Sequence, residues 1–140
     1  MDNLRFASII LLLGAIACGQ NAKEKHVAVP VQNDYIRAIP GENDSIPEAL
    51  SQKGEVLIAY SDCYTCHKTN TRAKGPAFGD IAARYPIQQA YVDMLANRII
   101  AGGSGAWGSP VMLPHPDLPF KDAQYMVYYI LSLKELEDNY

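Results

Sequence analysis

Apolar positions recur at intervals of three and four residues in three stretches of the chain, each bounded by residues that start or stop helices. The first opens at Ser45-Ile46-Pro47-Glu48, where Ser three residues before Glu has the form of a capping box and Pro suits a first turn. The pattern predicts a helix from there to about Tyr60, with Leu50, Gly54, Leu57 and Ile58 along one face. Gly54 costs a helix interior about 1 kcal/mol relative to Ala, so a close helix crossing is expected at that point. The second stretch runs from about Gln88 to Ile100, with Tyr91, Met94, Leu95 and Ile99 facing inward and Gly102-Gly103 as the stop. The third runs from about Asp122 to Lys134 and buries Ala123, Met126, Val127, Ile130 and Leu131. A shorter helix is expected after Pro76, around Asp80 to Arg84, and a Gly/Pro-rich loop from Gly102 to Pro119. No internal repeat or βαβ pattern accompanies these stretches. The fold class they predict is all-α, with about four helices.

The N-terminal third reads differently. Arg5 gives Met1–Ala17 a small positive start, and Phe6–Ala17 is apolar apart from Ser8, the pattern of an export signal. That run of 12 residues is too short for a membrane-spanning helix, which needs about 20. It ends in Ala15-Ile16-Ala17, directly before Cys18. An apolar run, a small residue and then a lone Cys resembles a bacterial lipoprotein signal, which would make Cys18 the lipidated N-terminus and a membrane anchor. Such signals usually carry Leu three residues before the Cys, where this chain has Ala15; an ordinary secretory signal is the alternative. Cys18–Asp44 is polar, holds Pro30, Pro40 and Gly41, and sustains no period, so residues 18–44 are expected to form a flexible tether. The compact domain is then residues 45–140.

The formal net charge is −3, and removing residues 1–17 deletes one acid, Asp2, and one base, Arg5, leaving it unchanged. The 12 basic residues are scattered rather than striped, which argues against a nucleic-acid partner. A domain of 96 residues buries only about 65% of its unfolded surface, so its own core is modest.

Chemistry concentrates at Cys63-Tyr64-Thr65-Cys66-His67. C-x-x-C-H is the attachment spacing of a c-type haem: each thiol forms a thioether with one vinyl group, and the adjacent imidazole becomes a proximal iron ligand. The alternatives are a redox dithiol, which would be expected near a βαβ pattern, and half of a zinc site, which would need a second close Cys/His pair. Neither accompaniment is present. A covalent porphyrin would also supply the apolar centre that so small a domain lacks. For the sixth iron position the downstream candidates are Met112, His115 and Met126. Met126 falls on the apolar face of the last helix and reads as core filler, as does Met94. Met112 lies in a loop, between Pro110 and Pro114, that would stiffen its backbone; His115 competes three residues on.

Read together, these segments resemble a class I cytochrome c of the small bacterial type, similar to cytochromes c551 and c552. The resemblance rests on the attachment motif, Lys74-Gly75-Pro76-Ala77-Phe78, Ile81 to Tyr85, Ile99 to Gly103, Trp107 to Met112 and Met126 to Leu133, and covers about residues 47–134. It implies a small cytochrome c fold around one covalent haem c. Cys63 and Cys66 match the thioether cysteines, His67 the proximal ligand and Met112 the distal ligand. Pro76 matches the residue whose carbonyl accepts a hydrogen bond from the proximal imidazole. Trp107 and Arg98 match contacts to a haem propionate, although Arg98 also suits a solvated cation at a helix end. Gly54 and Tyr129 match the crossing of the first and last helices. One departure is that relatives commonly place Pro directly before the distal Met, whereas here Pro110-Val111-Met112 puts it two residues earlier.

His/Met ligation closes both axial positions, so the implied function is one-electron transfer by an exported carrier, not an enzyme, between redox proteins in or outside the membrane. Two other readings stand beside it. One is a tethered haem subunit of a larger oxidoreductase. The other is a ligand-binding or peroxidatic haem protein in which Met112 is displaced and His115 serves as the distal acid–base group.

Overall fold

The computed structural model describes residues 37–137. The signal segment 1–17, Cys18, tether residues 18–36 and Tyr140 lie outside the described residues. The described chain runs α1 (Glu48–Ala59), a 3₁₀ turn (Cys63–Thr65), α2 (Phe78–Arg84), α3 (Gln89–Ala101), β1 (Gly103–Gly105), β2 (Gly108–Met112) and α4 (Phe120–Glu137).

Helix α1 opens at Glu48, and the expected capping box of Ser45 and Glu48 does not form. Ile46 precedes a proline and is thereby held out of the helical region. Pro47 itself is extended (φ −58°, ψ 127°) and is the cap, with no side-chain cap bond. Its carbonyl accepts the Leu50 N–H at 2.9 Å. Glu48 instead serves the first turn, accepting Ser51 Oγ on its carbonyl at 2.9 Å and Gln52 Nε2 on its carboxylate at 2.7 Å.

Helix α4 is the element against which α1, α2 and α3 pack. Its expected inner face, Ala123, Met126, Val127, Ile130 and Leu131, is buried throughout. Gly54 is buried where α1 meets α4: a Cβ there would press on the Tyr125 backbone carbonyl and lie 3.0 Å from Tyr129 Cβ. The core between these helices centres on Ile58, Val92, Val127 and Leu131, each under 2% exposed.

Helix α3 is turned relative to the expected inner face. It buries Val92, Ala96 and Ile99, whereas Met94 is 44% exposed and Tyr91 and Leu95 are half-buried. The helix carries two apolar faces: one packs on α4, and the other, with Met94 and Leu95, lines a cavity. Periodicity alone merges the two into a single stripe.

The expected Gly102–Pro119 loop contains a two-stranded antiparallel hairpin, pairing Gly103 with Met112 and Gly105 with Gly108. The backbone reaches it through left-handed residues at Gly102 (φ 66°) and Gly103 (φ 121°), which is why glycine stands there. Residues 39–44, which the composition places in the tether, are held to the segment between α2 and α3. Ile39 N–H donates to the Arg84 carbonyl (2.7 Å), Asp44 N–H to the Ile87 carbonyl (2.7 Å), and Ile87 N–H to Asn43 Oδ1 (2.9 Å). That segment is extended at Tyr85 and Gln88, so its backbone groups need partners outside a helix. Pairing of backbone groups leaves no mark in side-chain periodicity.

Candidate cofactor site

One cavity of about 530 Å³ collects Cys63, Cys66, His67, Pro76, Arg98, Trp107 and Met112 on its lining. Cys18 lies outside the described residues.

The attachment motif is wound tightly. Cys66 N–H and His67 N–H both donate to the Cys63 carbonyl, at 3.2 and 2.9 Å, so the 3₁₀ turn brings the two thiols and the imidazole to the same cavity. The two cysteines are not joined to each other in a disulfide. Burial pushes the Cys63 thiol above its ordinary range, the Asp62 charge adds to this, and a 2.9 Å hydrogen bond from Ser61 Oγ opposes it. Reactive C-x-x-C dithiols carry a lowered thiol pKa, so this environment disfavours the dithiol reading. Among the described residues no group of three or more His, Cys, Asp or Glu side chains is placed to hold a metal ion, which disfavours the zinc reading too.

His67 is 8% exposed, and its Nδ1 lies 2.8 Å from the Pro76 carbonyl. A carbonyl only accepts, so Nδ1 carries a proton, and in the neutral ring the lone pair is then on Nε2. Phe78 stacks on the imidazole at 5.2 Å with planes 14° apart. From below, Gly75 leaves the ring its room: a Cβ there would stand 2.6 Å from His67 Cε1 and 3.0 Å from Nδ1. Gly75→Ala is therefore expected to displace the imidazole and cost about 1–3 kcal/mol. The check is the melting temperature of the haem-loaded variant together with its ferrous spectrum. An unchanged melt would show that the ring can move aside freely.

Met112 ends β2, half-buried and opposite Gly103. Met94 and Met126 line the cavity as well, Met126 from within the core at 3% exposure. His115 borders the cavity, but both its ring nitrogens face oxygen: Nδ1 lies 3.1 Å from the Ile99 carbonyl and Nε2 3.2 Å from Asp62 Oδ1. Arg98 places Nη1 3.0 Å from the Gly102 carbonyl while lining the cavity, so the helix-end role and the cavity role coexist. Trp107 packs edge-on to Tyr85 at 6.4 Å and lies under the Arg84 guanidinium at 5.1 Å, and its carbonyl accepts Arg72 Nη2 at 2.9 Å.

The residues present fit a covalently held porphyrin. Two thiols at the attachment spacing, an imidazole with one lone pair, a thioether and walls such as Ile58, Phe78, Leu95 and Ile130 share one lining. Sequence reasoning named neither Phe78 nor Gly75 for its contact with His67. Both stand in the Lys74–Phe78 motif, yet nothing in the pattern says which ring they meet.

Residues 51–134 match the family described as cytochrome c. Cytochrome c-551 of Allochromatium vinosum is 38% identical over 87 residues, 62% of this chain and 90% of that protein. Cytochrome c-552 of Hydrogenobacter thermophilus is 38% identical over 80 residues, 57% of this chain and 81% of the relative. The crystal structure of wild-type Nitrosomonas europaea cytochrome c552 superposes with a TM-score of 0.54 at 36% identity, covering 57% of this chain and 99% of that one. With the attachment turn, the oriented imidazole and the thioether on one apolar cavity, the chain belongs to the cytochrome c family, an electron carrier rather than an enzyme, with one covalent haem c.

Proposed function

We propose that the chain carries single electrons between exported or membrane-bound redox proteins, with His67 and Met112 as axial ligands. The observation that carries this reading is the 2.8 Å contact of His67 Nδ1 with the Pro76 carbonyl, which reserves Nε2 for iron in a cavity that Met112 also lines. The haem, when bound, supplies the ferric–ferrous couple. The protein's part is to hold that couple still and dry. Cys63 and Cys66 fix the porphyrin through thioethers. Pro76 fixes the ring orientation of His67 and raises its basicity. Met112 contributes a soft ligand that favours the ferrous form and raises the potential. Arg98 and Trp107 are assigned to a propionate, and the apolar walls keep water from the couple.

The displaceable-Met reading loses its acid–base group, because both ring nitrogens of His115 face other partners. The tethered-subunit reading rests on the tether, of which residues 39–44 are held to the folded domain. Exclusive co-purification with a larger oxidoreductase supports it, and a chain recovered free of any partner removes it. The lipid anchor at Cys18 is a separate expectation, tested by intact-mass analysis of the mature N-terminus: a diacylglyceryl Cys18 supports it, and a lipid-free terminus removes it.

The ligand assignment is tested by optical spectra in both oxidation states with and without carbon monoxide. The expected result is a low-spin ferrous spectrum, a weak far-red Met–iron band when oxidised, and no response to carbon monoxide. Met112→Ala is expected to lose that band, bind carbon monoxide and lower the potential by on the order of a few tenths of a volt, within the roughly 0.8 V that axial ligands span. A variant with wild-type band and potential would remove Met112 as the ligand and turn attention to Met126.

A further inference from the structure

We propose that His115 is a positioning residue for Met112: with Asp62 and the end of α3 it forms a clamp that keeps the thioether seated. The proposal rests on the reading of Met112 as a ligand. The clamp itself is geometric. A helix leaves its last carbonyls without intrahelical partners. At the end of α3 the Arg98 carbonyl accepts Gly102 N–H at 2.8 Å. His115 takes the next two, its backbone N–H donating to the Ile100 carbonyl at 2.9 Å and its Nδ1 meeting the Ile99 carbonyl at 3.1 Å. Its Nε2 then reaches Asp62 Oδ1 at 3.2 Å, one residue before the first attachment cysteine. One side chain thus joins α3, the Met112 segment and the attachment turn.

The segment needs such a hold on its C-terminal side. Before Met112 the chain is fixed by the Gly103 pairing, and Gly102 lies directly against it: a Cβ on Gly102 would stand 2.6 Å from the Met112 carbonyl oxygen and 2.7 Å from Pro114 N. Val111 and Leu113, 70% and 69% exposed, border the cavity instead of the packed core, so neither side chain ties the segment to the helices. Pro114 stands between Met112 and His115, and its fixed φ angle carries the anchorage stiffly toward Met112.

The Asp62 and His115 side chains are 71% and 30% exposed, so the pair contributes little to global stability. Its effect is local to the Met112 segment, and this separates a positioning role from a merely structural one. The experiment uses the haem-loaded protein with His115→Ala, Asp62→Ala, Asp62→Asn and the double variant H115A/D62A. Readouts are the ferric Met–iron band, the rate of carbon monoxide binding to the ferrous form, amide hydrogen exchange at Met112 and Leu113, and the melting temperature. His115→Ala is expected to raise carbon monoxide binding about fivefold and weaken the band while the melt barely moves. Asp62→Ala is expected to give about twofold, and Asp62→Asn to restore the wild-type rate, because its side-chain amide offers both a donor and an acceptor to Nε2. The double variant should match His115→Ala alone, since removing His115 already breaks the one contact through which Asp62 acts. An unchanged band and rate in His115→Ala, or a double variant equal to the product of the singles, would overturn the clamp. Faster exchange at Met112 and Leu113 in His115→Ala supports it whichever side chain binds iron. A wild-type spectrum in Met112→Ala sinks the ligand reading on its own.

Discussion

Prepared without haem, the chain is expected to show no cooperative thermal transition. The residues around the cavity are the core itself: Ile58, Phe78, Ile99, Met126, Val127 and Ile130 belong both to the cavity lining and to the main apolar cluster. An enclosed dry cavity costs about 24 cal/mol per Å³, so about 530 Å³ sets a ceiling on the order of 10 kcal/mol for this one, which opens to solvent. Small domains have about 5–15 kcal/mol in total. That ceiling is of the size of the whole stability, and the walls should collapse inward rather than keep the native arrangement. Cys63 and Cys66 matter here because their thioethers make the apolar centre permanent. Far- and near-ultraviolet circular dichroism of the haem-free chain is the check. Residual helix signal, no near-ultraviolet signal and a broad melt are expected, the signature of a collapsed state without fixed packing. A sharp melt with a native near-ultraviolet spectrum would show that the protein core suffices.

The same division between centre and frame explains which parts of the structure can be read from the sequence. The attachment motif is legible because thioether chemistry demands two thiols and an imidazole at fixed spacing, and nothing in folding blurs that spacing. The inner face of α4 is legible because it packs on three other helices, so one apolar stripe serves all of them. Helix α3 is less so: Val92 and Ala96 face protein while Met94 and Leu95 face the cavity, and a period of 3.6 cannot tell two apolar surroundings apart. The hairpin around Gly103 and Met112 is hidden by glycine and proline, which usually signal irregular loops. The docking of residues 39–44 is hidden because it runs through backbone groups that every residue has. At the capping box a local motif met a stronger local rule, the restriction that Pro47 places on Ile46. The contacts of Gly75 and Phe78 with His67 belong to the same class as the clamp at His115: each depends on which ring a distant segment meets.

Gly54→Ala is expected to destabilise the haem-loaded protein, against its helix propensity, and Gly54→Val to do so more strongly. On propensity alone Gly54→Ala in the interior of α1 would gain about 1 kcal/mol. Opposed to that gain is the crossing with α4. The added Cβ would meet the Tyr125 carbonyl, which is backbone and cannot rotate away, and Tyr129 Cβ at 3.0 Å, which is fixed to its own helix. Relief therefore requires the two helices to separate, and separation loosens Ile58, which is wholly buried one turn further along α1. Overpacking of this kind costs about 1–3 kcal/mol and more where backbone must move. The crossing should win, by about 2 kcal/mol net for Ala and about 4 for Val, or roughly 10 and 20 °C of melting temperature at this domain size. Val56→Ala, two residues along the same helix at a position 55% exposed, is the control and should change stability by no more than about 0.5 kcal/mol. The iron ligands lie outside α1, so the low-temperature spectrum of Gly54→Ala should keep its Met–iron band while its melt falls. A Gly54→Ala protein that melts at or above the wild-type temperature would mean that propensity prevails and the helices part without cost.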